Sequence, residues 1–125
     1  MSVDRSDIDK GLELLKEIGW DDGAAKLKET DEQFWEMTVG HLFGNIWTRP
    51  GLSPRDREMI TLAVLIALDR ERGLRPHLTN AHKLGISDDE MRELIFQVMH
   101  YAGWSVGAHA ISTFKQVKDE RDGTG

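Results

Sequence analysis

A chain of 125 residues amounts to one domain, and its 39% hydrophobic and 30% charged residues are the composition of a folded globular protein, not a disordered one. Its formal net charge of −6 argues against nucleic-acid phosphates and anionic membrane surfaces as partners. With no cysteine there is no disulfide, thiolate nucleophile or Cys-ligated zinc. In chain order the apolar patterns have helical period. Ser6 is the expected cap of a first helix carrying Ile8, Leu12, Leu15 and Ile18, ended by Gly19. Asp21 to Thr30 reads as a short helix or turn. From Asp31 an aromatic-rich helix places Phe34, Thr38, Leu42 and Ile46 on overlapping turns beside Trp35, Val39 and Phe43, and the pattern breaks between Gly44 and Pro50.

The clearest start signal comes next, with Ser53 at the cap, Pro54 at the first helical position and Asp56 in the first turn. The helix it opens runs through Glu58 into the apolar stretch Met59 to Leu68. Because that stretch is apolar on all sides, it is expected to be buried all round, with partner subunits helping to cover it. Gly73 and Pro76 punctuate the entry to a helix with Leu74, His77, Leu78, Ala81 and Leu84 on one face, ended by Gly85. Ser87 to Glu90 forms a capping box before a helix whose core stripe is Met91, Leu94, Ile95, Val98 and Ala102. Phe96, Met99 and His100 lie on its other side, where the apolar Phe suggests a subunit contact. A last helix is expected from about Ser105 to Val117, with Asp119 to Gly125 as a frayed tail. The expected product is one all-helical domain over residues 1–125. No targeting signal opens the chain and no apolar stretch is long enough to span a bilayer, which with the missing thiols points to the cytoplasm. So small a domain buries a modest share of its surface, and self-association is expected.

His77 lies in the apolar arc of its helix. It reads either as a hydrogen-bonded core histidine or as a functional imidazole with Arg70, Arg72 and Arg75 crowding its approach. Glu58 has two readings as well: a first-turn carboxylate favouring the helix dipole, or one that orients an imidazole. If the two helices form an antiparallel hairpin turning near Arg70, the axial offset between the two residues is roughly 8 Å, a gap for two side chains and a water. His41, His82, His100 and His109 are weaker candidates, the last two for an interface or a pocket wall, and no histidine pair has the i, i+4 spacing of a helical zinc site. Ala81 to Ser87 followed by an amphipathic helix has helix-turn-helix spacing. However, Asp88, Asp89 and Glu90 occupy the positions that would meet DNA, and their charge is wrong for it.

From Phe43 to about Ile111 the chain resembles the carboxymuconolactone decarboxylase family, the helical superfamily that also holds the AhpD-type alkylhydroperoxidases. The resemblance is carried by Phe43-Gly44-x-Ile46-Trp47-x-Arg49-Pro50-Gly51-Leu52, by Arg57 with Thr61-Leu62-Ala63, by His77-x3-Ala81-x3-Gly85, by Glu90-x2-Glu93 and by Tyr101-Ala102-Gly103. The peroxidase branch has a Glu, a Cys-x-x-Cys pair and a His in a frame that falls here on Glu58, Arg70, Gly73 and His77. The Glu and His are present and both thiols are absent, which excludes a dithiol peroxidase. The resemblance therefore implies the decarboxylase branch: a lyase that needs no cofactor and no metal, acts on a small carboxylated lactone of aromatic-acid breakdown, and assembles as a homotrimer or homohexamer. It implies His77 and Glu58 as the catalytic pair, and Arg49, Arg57, Arg75, Trp47 and Trp104 as candidates to bind substrate. The chain departs from that branch in carrying Glu at 58 in place of a small polar residue, and in the segment Trp104 to His109. Both departures point to an altered pocket. A related isomerase or lactone-opening enzyme using the same pair, and a non-catalytic oligomeric binding protein, are the alternative functions.

Overall fold

The computed structural model describes residues 3–123. Among them are seven α-helices and no strand: α1 (Arg5–Glu17), α2 (Asp21–Thr30), α3 (Glu32–Glu36), α4 (Pro54–Ala67), α5 (Glu71–Asn80), α6 (Asp88–Ala102) and α7 (Trp104–Asp122). The expected all-helical class is therefore observed. A π-helical stretch, Met37–Ile46, continues α3, and a 3-10 turn, Ala81–Leu84, continues α5. The chain folds as two compact units, Met1–Pro54 and Arg55–Gly125. No helix among the described residues is long and apolar enough to cross a membrane.

In the first unit α1 is capped by Asp4, not Ser6. Its carboxylate accepts from the Asp7 amide while the Asp7 carboxylate accepts from the Asp4 amide. The stronger acceptor two positions upstream wins the cap. The buried row of the α3–π segment is Trp35, Val39, Phe43 and Trp47, whereas Phe34 and Leu42 are exposed, so the core row is the neighbour of the stripe expected to lead. Hydrogen bonding to the fifth residue back, as in Trp47 N–H to Leu42 O at 2.9 Å, lengthens the turn and keeps residues four apart on one face. Trp20, Phe43 and Trp47 pack with ring centroids 5.5 to 6.0 Å apart. On the other side α1 meets the π segment backbone to backbone. A Cβ on Gly11 would sit 1.8 Å from the Val39 carbonyl oxygen, and one on Gly44 would sit 2.1 Å from that of Asp7.

The second unit is built around Leu62, Ile66, Leu78, Met91, Ile95 and Phe114, all buried. Pro54 opens α4 as the sequence predicts. In the second unit Leu62 and Ile66 of α4 are buried, but its Ile60 and Val64, and Leu68 just past its end, are each about half exposed. The contrast has a measurable consequence. Leu62→Ala should lower unfolding free energy by about 2–5 kcal/mol, whereas Ile60→Ala, beside it but with much less surface removed from water, should cost far less; urea denaturation of the two variants checks this.

Helix α5 begins at Glu71, so Gly73 and Pro76 lie inside it and do not mark its entry. Bare of a Cβ, Gly73 lets the helix come close to Leu65, whose Cδ2 would be 3.1 Å from such an atom. Gly85, with φ 82°, ends the following 3-10 turn. The capping box of Ser87 and Glu90 opens α6 as expected. Of the predicted α6 stripe, Met91, Leu94 and Ile95 are buried, Val98 is partly buried and Ala102 is exposed. Phe96 is half-buried beneath the Arg92 guanidinium, 5.2 Å from its ring. Helix α7 runs to Asp122, past the expected end at Val117, because Arg121 makes a two-pronged contact with Asp88 at 3.0 and 2.8 Å and Lys115 pairs with Asp119 at 2.7 Å. Of the expected frayed tail, residues 124–125 lie outside the described residues.

Candidate active site

Glu58 lies one turn into α4 and is completely buried, on the same side as Leu62 and Ile66. A carboxylate taken out of water needs a partner. Its partner is His77 on α5, whose Nδ1 lies 2.6 Å from Glu58 Oε1. The gap expected to hold a water is thus closed by direct contact, with α5 carried close to α4 where Gly73 faces Leu65. Buried Leu74 and Leu78 flank His77, which retains 19% of its side-chain exposure. Nδ1 is thus the ring nitrogen that Glu58 engages. Glu58 Oε2, also buried, has no hydrogen-bond partner among the described residues.

The other candidate residues sit on different elements of the two units. Arg57 precedes Glu58 on α4 and is half-buried, with its Nε out of reach of solvent. Arg75 is two positions from His77, a spacing that points side chains to different sides of a helix. Its guanidinium reaches α7, with Nη2 donating to Gln116 at 2.7 Å and Nη1 3.8 Å from Glu120. Trp104 opens α7, 63% exposed, its ring edge-on to His100 at 4.9 Å. Trp47 is buried in the aromatic cluster of the first unit, and Arg49 is exposed at the end of that segment.

A groove of about 620 Å³ runs between α4 and α6 over Met59, Ile60, Ala63, Leu94 and Val98, with Asp89, Glu90 and Glu93 on its rim. Neither Glu58 nor His77 lines it. Its anionic edge would repel a carboxylate. One constellation escaped sequence reasoning. His109 on α7 contacts Asp69 through Nδ1 and Glu71 through Nε2, the latter at 3.2 Å. No local pattern links those positions, which lie about forty residues apart and meet only through packing. Among the described residues no three His, Asp or Glu side chains converge as a metal site would require.

A family model described as carboxymuconolactone decarboxylase family matches residues 32–116. A 4-carboxymuconolactone decarboxylase of Acinetobacter baylyi is 33% identical over 105 residues, which span 84% of this chain and 78% of that protein. A nitrosuccinic acid decarboxylase of Metarhizium robertsii is 30% identical over 88 residues, 70% of this chain and 62% of that protein. The matched stretch includes the Glu58–His77 contact and every candidate residue named above. With well over half its length accounted for, the chain belongs to the carboxymuconolactone decarboxylase family.

Proposed function

We propose that this protein is a cofactor-independent carboxy-lyase acting on a small carboxylated lactone such as 4-carboxymuconolactone. The observation that carries the reading is the 2.6 Å contact between a fully buried carboxylate and a partly accessible imidazole, in a chain whose relatives are decarboxylases. In such a substrate the bond to the leaving carboxylate breaks and its electron pair moves to the vinylogous lactone carbonyl, giving a dienolate and carbon dioxide. A proton delivered to carbon then yields the enol-lactone. His77 is assigned that proton delivery from Nε2, with the developing oxyanion stabilised in the same site. Glu58 holds the imidazole in place through Nδ1, and Oε2 is left to accept from a donor on the ligand. Arg57, half-buried with its Nε shielded from solvent, is assigned as the carboxylate clamp.

The two relatives' names share one chemical feature. Carboxymuconolactone and nitrosuccinic acid each carry a carboxylate that leaves its electrons on an electron-withdrawing group, a conjugated lactone in one and a nitro group in the other. That supports decarboxylation over isomerisation or lactone opening for the Glu58–His77 pair. The half-exposed row Ile60, Val64 and Leu68, with the neighbouring groove, suits coverage by further copies in a trimer or hexamer.

The test is carbon dioxide release from 4-carboxymuconolactone, with the product identified by NMR. Release with enol-lactone formation is the expected outcome. Conversion without carbon dioxide would replace the lyase by an isomerase, and no turnover of lactone or nitro-acid substrates would leave a binding protein.

A further inference from the structure

We propose that His109 is a positioning residue which, as an imidazolium, pins the turn between α4 and α5 to α7 and so holds in register the two helices that carry Glu58 and His77. The inference rests on the reading of Glu58 and His77 as a working pair. Asp69 lies in the turn after α4 and Glu71 opens α5, and a single ring reaches both, Nδ1 to Asp69 and Nε2 to Glu71. A carboxylate only accepts, and a neutral imidazole donates from one nitrogen alone, so both contacts are satisfied together only by the doubly protonated ring. Buried Thr113, one turn further along α7, brings its hydroxyl to the same Glu71 carboxylate at 3.5 Å. Asp69 meanwhile adopts a left-handed backbone, φ 55°, which a residue with a side chain seldom takes and which its surroundings must hold in place. The clasp thus grips the hairpin at the point where its two helices exchange direction. Because the ring lies between its partners, with one on each nitrogen, the cluster is a clasp and not a cation site.

Among the described residues the charged groups facing His109 are these two carboxylates. Elsewhere on its neighbours, Arg75 of α5 turns to Gln116 and Glu120, Asp88 of α6 is taken by Arg121 and Lys118, and Arg70 and Arg72 beside the turn are exposed. The hydrogen bond to Asp69 first, and that to Glu71 second, raise the His109 pKa above the ordinary histidine value. The sign follows from linkage. A raised folded-state pKa gives stability that is complete below the ordinary value of about 6.5 and is lost as pH rises through the folded-state value; with His109, Asp69 and Glu71 each about half exposed, solvent screening keeps that contribution small. The clasp should therefore be fully engaged below the ordinary histidine value and open as pH rises through the raised one.

Histidine-ring NMR on the full chain tests this without turnover. His109 should titrate above the ordinary value in the parent chain and move back toward it in Asp69→Asn and in Glu71→Gln. The unfolding midpoint of the parent should fall across that titration, and the fall should be flattened in both variants. In His109→Gln, and in the parent above the His109 titration, the downfield Nδ1 proton of His77 should shift or broaden, whereas His100→Gln should leave it unchanged. A His109 titration at or below the ordinary value overturns the clasp. A His77 proton indifferent to His109→Gln, Asp69→Asn and Glu71→Gln overturns its positioning role, whatever substrate is turned over. Conversely, a coupled His77 signal in a chain that releases no carbon dioxide would leave the clasp standing and remove only the enzyme reading.

Discussion

A His77→Gln variant is expected to release carbon dioxide from 4-carboxymuconolactone some 10²- to 10⁴-fold more slowly than the parent, the range set by loss of a positioned acid–base group. Glutamine has no nitrogen that shuttles a proton near neutral pH, although its amide still offers Glu58 Oε1 a donor. Glu58→Gln should have the smaller effect, about 10- to 100-fold. It keeps an oxygen for Nδ1 and exchanges only the other carboxyl oxygen for an amide nitrogen, as when a group supporting a working histidine is altered. The ordering discriminates between roles, because a mere core histidine would give variants differing in stability and not in rate per folded molecule. His77→Leu adds a stability readout. It leaves a fully buried carboxylate with neither oxygen bonded, and breaking a buried pair in this way costs about 3–5 kcal/mol. Initial rates corrected for the folded fraction by circular dichroism separate the two effects, and equal specific activity in parent and His77→Gln would end the catalytic assignment.

The second large effect is steric and belongs to the first unit. Gly11→Val should abolish the native packing of α1 on the π segment, since even its Cβ would overlap the Val39 carbonyl oxygen at 1.8 Å. No rotamer relieves a clash made by Cβ itself, so the backbones must part. Overpacking alone costs about 1–3 kcal/mol where side chains can move; here the colliding atom is main chain, and the loss should reach or exceed the top of that range. Gly44→Ala meets the Asp7 carbonyl in the same way. Gly23→Ala is the control, because a Cβ there meets nothing within 4 Å, and on a helix alanine should be neutral or slightly stabilising. The measurement is the unfolding midpoint followed by tryptophan fluorescence, which senses Trp20, Trp35 and Trp47 in this unit. Unchanged midpoints for Gly11→Val would refute the packing.

What local chemistry dictates could be read from the chain alone. Proline at the first helical position marked the start of α4, Ser87 with Glu90 capped α6, and Gly85 ended the turn before it, because each acts through bonds to residues three or four away. Asp4 displaced Ser6 at the first cap by the same kind of local competition. The start of α5 was misplaced because Pro76 and Gly73 are unfavourable in helices as a rule, and here the packing of Leu74 and Leu78 outweighs that preference. The row of α3 that enters the core depends on a π-helical repeat, which no apolar periodicity announces.

That Glu58 and His77 could meet was legible from spacing and from the family pattern, but their separation was not. Helical rise gives an axial offset along idealised cylinders, and only the close approach of α4 and α5 at Gly73 turns that offset into a 2.6 Å contact. Arg75 illustrates the converse: near His77 in sequence, it is drawn to Gln116 by packing. The sequence by itself determined the all-helical class, most helix ends and the residue types available for acid–base chemistry, since these follow from periodicity, capping and side-chain inventory. Only the tertiary structure decided which groups meet, as in the Glu58–His77 pair and the His109 clasp on Asp69 and Glu71, because contacts between distant residues depend on how the helices pack and no local rule encodes that.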